Sequence, residues 1–171
     1  MITINKRSTI NASLAAIFAA LTFVFIFYFN VPTGVGIVHI GDFFIYIAAS
    51  LLPWPYAMLA GAVGAGLTNI LNPALVPFLP FTLIIKPLNV IPFTSKKNKI
   101  ICRRNVLAIF ISGAITIVGY FIARVIIVDV AFAITGITFN VLQAVSSGIA
   151  FVLIGLALDA AKIKRTLRDR L

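Results

Sequence analysis

Residues 106–128 read VLAIFISGAITIVGYFIARVIIV, an unbroken apolar run that carries a single charge, Arg124. The hydrocarbon core of a bilayer is about 30 Å thick and takes roughly 20 apolar residues as a helix. This run is long enough to cross. Five more apolar runs lie at residues 10–29, 42–52, 56–71, 81–93 and 141–158, parted by turn residues such as Pro32, Gly34, Pro53, Pro55, Asn72 and Pro73. The second and fourth are short enough to be re-entrant segments.

Composition points the same way. The chain has 171 residues, of which 61% are hydrophobic and 11% charged. Soluble domains carry about a quarter charged residues, and a small one cannot hide this much apolar side chain. Disorder and a soluble enzyme are both excluded. The run at 10–29 follows Lys6 and Arg7 but exceeds the roughly 7–15 residues of a signal-peptide core, and Asn30-Val31-Pro32-Thr33-Gly34 offers no cleavage site. It reads as an uncleaved first span.

Fourteen Lys and Arg stand against four Asp and no Glu, a net charge of +10. In a soluble protein that excess would suggest nucleic acid; in a membrane protein it follows from basic residues collecting in cytoplasmic loops, so no nucleic-acid partner is expected. The basic residues form three clusters: Lys6 and Arg7; Lys96, Lys97, Lys99, Arg103 and Arg104; and Lys162, Lys164, Arg165, Arg168 and Arg170. An even number of crossings must separate clusters on the same side. The expectation is an all-α integral membrane protein: a single domain over 1–171, with six transmembrane helices and both termini cytoplasmic. Segments 30–41, 72–80 and 129–140, rich in Gly, Pro and Thr, then become loops over an outward cavity. Cys102, the lone cysteine, falls in a basic stretch and reads as a reduced thiol.

Small residues mark two helices. Ala12, Ala16 and Ala20 recur every fourth position, as do Ala15 and Ala19, leaving a flat face for another helix of this chain or of a partner. Gly61, Gly64 and Gly66 lie within an apolar helix with no strand before them, so they read as close packing and not as a phosphate loop.

Ionisable groups in apolar spans are costly and face a cavity or a partner. Lys86 lies mid-span and could snorkel, pair internally or line a pocket. Arg124 ends the fifth run. His39 and Asp42 flank Gly41; Asp42 could cap the second helix, and His39 has no companion at metal spacing, so no metal and no cofactor are expected. Asn69, Asn72, Tyr120, Asn140 and Gln143 share the depth of these groups. Together the nine form a candidate substrate-binding set, with Phe or Tyr for the walls. No paired carboxylates, nucleophile with base, or phosphate loop is present, so no catalytic residue is proposed. A stand-alone carrier or channel remains a second class, and an intramembrane enzyme built on Asp42 and His39 a third.

The segments Val38-His39-Ile40-Gly41-Asp42, Leu52 to Gly64 and Pro80 to Lys86 resemble the substrate-binding S component of bacterial energy-coupling factor (ECF) vitamin transporters, in the riboflavin-type and hydroxymethylpyrimidine-type group. The resemblance implies a multi-pass protein of the bacterial plasma membrane that binds a vitamin beneath its outer loops. It also implies docking through Ala12, Ala16 and Ala20 onto a transmembrane coupling subunit (EcfT-type) driven by two cytoplasmic ATPase subunits (EcfA-type), the S component toppling to release its cargo. No residue here is tied to a flavin ring. A small heterocycle, hydroxymethylpyrimidine or pyridoxine-like, is the expected substrate, with riboflavin or cobalamin as alternatives.

Overall fold

The computed structural model describes residues 6–34 and 36–170. Seven α-helices account for most of them: α1 (Lys6–Phe27), α2 (Asp42–Leu51), α3 (Trp54–Leu71), α4 (Leu79–Leu88), α5 (Arg103–Ile127), α6 (Val130–Ala160) and α7 (Ile163–Arg170). The chain is an all-α membrane protein, in which α1, α5 and α6 are each long and apolar enough to cross a bilayer. A 3-10 turn at Pro73–Phe78 leads into α4.

Several features differ from the sequence reading: α4 ends at Leu88, short of the expected 93, and residues 73–78 of the expected 72–80 loop form the 3-10 turn. Segment 30–41 is not merely a loop. Asn30–Pro32 (β1) and Ile37–His39 (β2) pair as an antiparallel hairpin, with Asn30 opposite His39. Its turn includes Gly34 and Gly36 at φ 75° and 141°, values that glycine alone adopts without strain. Segment 129–140 is helical from Val130 onward. Asp129 caps α6 through Phe132 N–H (2.7 Å), so α6 starts about three turns before the position its apolar run suggests.

The alanine stripes resolve into two faces. Asn11, Ala15, Ala19, Thr22 and Ile26 are buried, whereas Ala12, Ala16 and Ala20 are exposed. The buried face lies on α3, where small residues let the two backbones meet. A Cβ built on Gly64 would stand 2.6 Å from the Ala19 carbonyl oxygen and 2.7 Å from Thr22 Cβ. Because the obstacle includes backbone, α1 must move to admit a methyl group. We expect Gly64→Ala to cost ~2 kcal/mol, the usual scale of overpacking, read as a lowered unfolding midpoint in detergent. An unchanged midpoint would mean that α1 and α3 are not held this closely.

Beneath the hairpin, α2 is buried almost throughout, enclosed by α1, α3 and α6. Its lower half meets an aromatic cluster in which Tyr46 stacks on Phe93 (5.0 Å between centroids) and Phe93 meets Phe151 edge-on (5.5 Å). At the end of the bundle away from the hairpin, Asn105 is fully buried. Its amide accepts from Thr94 N–H (2.8 Å) and donates to the carbonyls of Thr94 and Ile100 and to Ser50 Oγ. Asp159 accepts from Ile100 N–H and Ile101 N–H at 2.7 and 2.9 Å. The 94–101 segment is thus pinned to α2, α5 and α6 despite its exposed lysines.

Candidate functional site

A cavity of about 50 Å³ lies under the hairpin, enclosed by α3, α4, α5, α6 and β2. His39, Asn69, Lys86, Tyr120, Arg124, Asn140 and Gln143 all line it. The structure thus gathers seven of the nine residues singled out by sequence. Asp42 and Asn72 have other work. Asn72 caps the 3-10 turn by accepting from Ala74 N–H (3.2 Å). Asp42 lies below the cavity wall; it begins α2, but its carboxylate does not cap that helix. One oxygen accepts from Lys86 Nζ at 2.6 Å and the other from Gln143 Nε2 at 2.9 Å.

Burial makes this pairing decisive. Asp42 and Lys86 each keep 1% of their side-chain surface. Two charges so far from water persist only as a hydrogen-bonded pair. Of the three readings open for Lys86, internal pairing and cavity lining both hold, and snorkelling does not. Its ammonium also lies 5.4 Å from the centre of the Tyr120 ring.

A second chain of hydrogen bonds orders the opposite wall. Asn69 Nδ2 donates to the Leu75 carbonyl (3.1 Å) and to Thr82 Oγ1 (3.0 Å), and Thr82 Oγ1 lies 3.0 Å from the Tyr120 hydroxyl. Thr82 was not singled out by sequence. It precedes Lys86 by four residues, the spacing that puts two side chains on one helix face, and that was the available signal. Gly136 was missed for a related reason. Gly136, Asn140, Gln143 and Ser147 form one buried line on α6, a pattern hidden while residues 129–140 are read as loop.

Gly136 makes room for Arg124. A Cβ there would stand 2.6–2.8 Å from guanidinium atoms of Arg124, whose Nη2 donates to Asn140 Oδ1 at 3.5 Å. Gly36 in the hairpin would bring a Cβ within 3.4 Å of the same guanidinium. Arg124 is therefore clasped between hairpin and helix.

Some buried polar atoms at the cavity find no hydrogen-bond partner within the protein, those of His39 and Asn140 among them. His39 Nδ1 and Asn140 Nδ2 are buried with no hydrogen-bond partner, on residues that keep 7% and 4% of their surface. Buried polar atoms are rarely left so, because an unmade bond costs about 1–3 kcal/mol. Both would be met by a polar molecule in the cavity. Phe78, Ile37, Leu75 and Ile26 supply apolar surface around these groups. The lining is amphiphilic, and it contains no nucleophile with a base beside it.

The His39 imidazole is held down at about 4 chiefly by burial; Lys86 lowers it further and Asp42 partly opposes the shift. It is neutral at physiological pH. The sign of the linkage follows: the proton binds an undocked hairpin at the usual value near 6.5 and the docked one only near 4. The contribution of His39 to stability is full above pH 6.5 and falls as the pH drops towards 4. We expect the unfolding midpoint to drop across that interval and His39→Gln to flatten the drop; a pH-independent midpoint in the parent would contradict it.

A family model described as ECF-type riboflavin transporter, S component, matches residues 6–160. No curated protein matches the chain.

Proposed function

Because the chain belongs to the family of ECF-type riboflavin transporter S components, a family of substrate-binding subunits of vitamin transporters, we propose that its cargo is a single-ring vitamin or precursor, hydroxymethylpyrimidine or pyridoxine-like. The observation that carries this reading is the small cavity walled by amide, hydroxyl and imidazole groups, with polar atoms of His39 and Asn140 left unmatched. A single ring with donors and acceptors on its edge would answer His39 Nδ1 and Asn140 Nδ2, while Tyr120 and Phe78 offer aromatic faces. Lys86 and Gln143, oriented by Asp42, would complete the polar rim. The cavity of about 50 Å³ must open to admit any cargo, and a single ring asks for less opening than riboflavin, the cargo for which the family is named, or a corrinoid.

In this reading the chain crosses the plasma membrane of a bacterium six times, with both termini cytoplasmic and the hairpin at the outer face. Six crossings put the three basic clusters on one side, as the positive-inside rule requires. Ala12, Ala16 and Ala20 then form the docking face for a transmembrane coupling subunit, itself driven by two ATPase subunits. Their exposure on α1, beside a buried stripe already used by α3, supports that role. Ala16→Trp is expected to abolish co-purification with the coupling subunit while leaving vitamin binding unchanged; retained co-purification would remove the docking role.

The cargo is tested by mass spectrometry of small molecules released on denaturing detergent-purified protein from cells grown in rich medium. A stoichiometric pyrimidine- or pyridine-sized heterocycle is expected. Riboflavin or a corrinoid in its place would keep the transporter role and overturn the single-ring assignment.

A further inference from the structure

The two strands of the hairpin have different surroundings. Ile37 and His39 of β2 line the cavity, and no residue of β1 does. On β1, Val31 and Pro32 are exposed, Val31 over 64% of its surface. Just before β1, Tyr28 and Phe29 keep 69% and 61% of theirs. From Ser8 to Gly41 the sequence has no Asp, Glu, Lys or Arg. Phe27 stacks on Phe23 (5.3 Å between centroids) and meets Tyr28 edge-on (5.0 Å), so the exposed rings continue an aromatic end of α1.

We infer that β1 and the end of α1 are seated in the membrane–water interface, where Tyr28, Phe29 and Val31 tie the hairpin to lipid. Three observations choose lipid as the occupant. The first is depth. α1 is apolar enough to cross a bilayer and extends about 33 Å over its 22 residues, against a hydrocarbon layer of about 30 Å. With Lys6 and Arg7 exposed at one surface, Tyr28 and Phe29 reach the other, a level at which tyrosine is enriched. The second is the way α1 ends. The last carbonyls of a helix have no partner within it and are commonly hydrated. Here Asn30 Nδ2 donates to the carbonyls of Ile26 and Phe27 at 2.9 and 2.8 Å, so α1 stops without calling on water. The third is the free edge of β1. Thr33 N–H donates to the Gly36 carbonyl at 2.9 Å, and antiparallel alternation then turns the backbone of Asn30 and Pro32 outward. Pro32 has no N–H to leave unpaired there. The carbonyls that remain keep the strand among hydrated headgroups and out of the hydrocarbon. The surface also continues the lipid-facing side of α1, on which Ile17 and Val24 are exposed. Because β2 shares the hairpin and carries His39, the roof of the cavity has the bilayer as one of its supports. The inference is independent of which molecule fills the cavity and of which side of the membrane the hairpin occupies.

A single indole on β1 tests the seating. Trp54, exposed and the sole tryptophan of the chain, is replaced in Trp54→Phe, and Val31→Trp is added at an exposed position. The full-length protein is placed in nanodiscs of phosphatidylcholine brominated either near the headgroup end or near the methyl end of its acyl chains, with iodide as the aqueous quencher. An interfacial residue lies within about 5–10 Å of the headgroup boundary, so the shallow bromines should quench about twofold more than the deep ones. Iodide should quench several-fold less than it quenches free tryptophan amide. Full quenching by iodide with none by either lipid would put β1 in water and overturn the inference. Stronger quenching by the deep bromines would put the strand in hydrocarbon and overturn it too. So would shielding that requires added coupling subunit, which would give the surface to that protein. Val31→Cys with Cys102→Ser probes the same position without an added ring. A charged maleimide should label it several-fold more slowly in nanodiscs than Lys97→Cys in the same background, at another exposed position; equal rates would overturn the inference. Vitamin binding should be unchanged in these variants, so failure here is separable from failure at the cavity.

Discussion

Asp42→Asn should be the most damaging conservative change in the chain. It leaves the Lys86 ammonium buried, with 1% of its surface exposed, and removes the carboxylate 2.6 Å from its Nζ. Breaking a buried pair on one side costs about 3–5 kcal/mol, because the remaining charge is neither solvated nor neutralised. The unfolding midpoint in detergent should fall accordingly. Asp42→Leu combined with Lys86→Met should recover much of that loss, since neither side chain then has a charge to bury. Vitamin binding should not recover with it. Asp42 aims both Lys86 and Gln143 at the cavity, and the double variant has neither the amine nor the support beneath the amide. A stable Asp42→Asn protein that bound its vitamin normally would overturn the role of the pair.

Gly136→Ala is expected to do the reverse, sparing the fold and weakening the site. The atoms that a new methyl group would meet belong to the end of the flexible Arg124 side chain, so the guanidinium can move and α6 need not. In moving it leaves both Asn140 and the hairpin face near Gly36. Arg124 lines the cavity, and a hydrogen bond from its guanidinium to the vitamin would be worth about 1.5–3 kcal/mol, so its displacement should lower vitamin affinity about tenfold to a hundredfold. Isothermal titration of the two proteins with the vitamin identified by mass spectrometry would measure it. Unchanged affinity would mean that Arg124 does not depend on the gap at Gly136.

The contrast between these residues explains how much the sequence could disclose. Helices declare themselves through apolar length, and Pro53, Asn72 and Asp129 mark their ends because each has a local chemical reason to stand there. The early start of α6 was legible in principle: Asp129 before an apolar stretch is a cap signal, outweighed by the nearby glycine and threonines. The hairpin was not legible, since strands of three residues carry no usable alternation. Depth in the bilayer predicted which polar residues could meet, because ionisable groups in apolar spans must find a cavity or one another. Their pairing was another matter. Asp42 and Gln143 are separated by 101 residues, and nothing local in the sequence links them. The two alanine stripes were equally ambiguous. In a membrane both faces of a helix are apolar, and only the partner glycine on α3 distinguishes the buried line from the exposed one.

The unequal lengths of the helices also bear on the lipid around them. Along its axis α4 extends about 15 Å and α6 about 46 Å, at 1.5 Å per residue. Leu83, Ile84 and Leu88 expose the short helix on its outer side. If α4 crosses as one of the six proposed spans, a hydrocarbon layer of about 30 Å would meet a wall too short on that flank and ample on the other. Such a mismatch would strain the membrane, by thinning it beside α4 or by tilting the whole molecule. Part of the elastic energy for any reorientation of this protein would then be stored in the bilayer, and thicker membranes should store more of it.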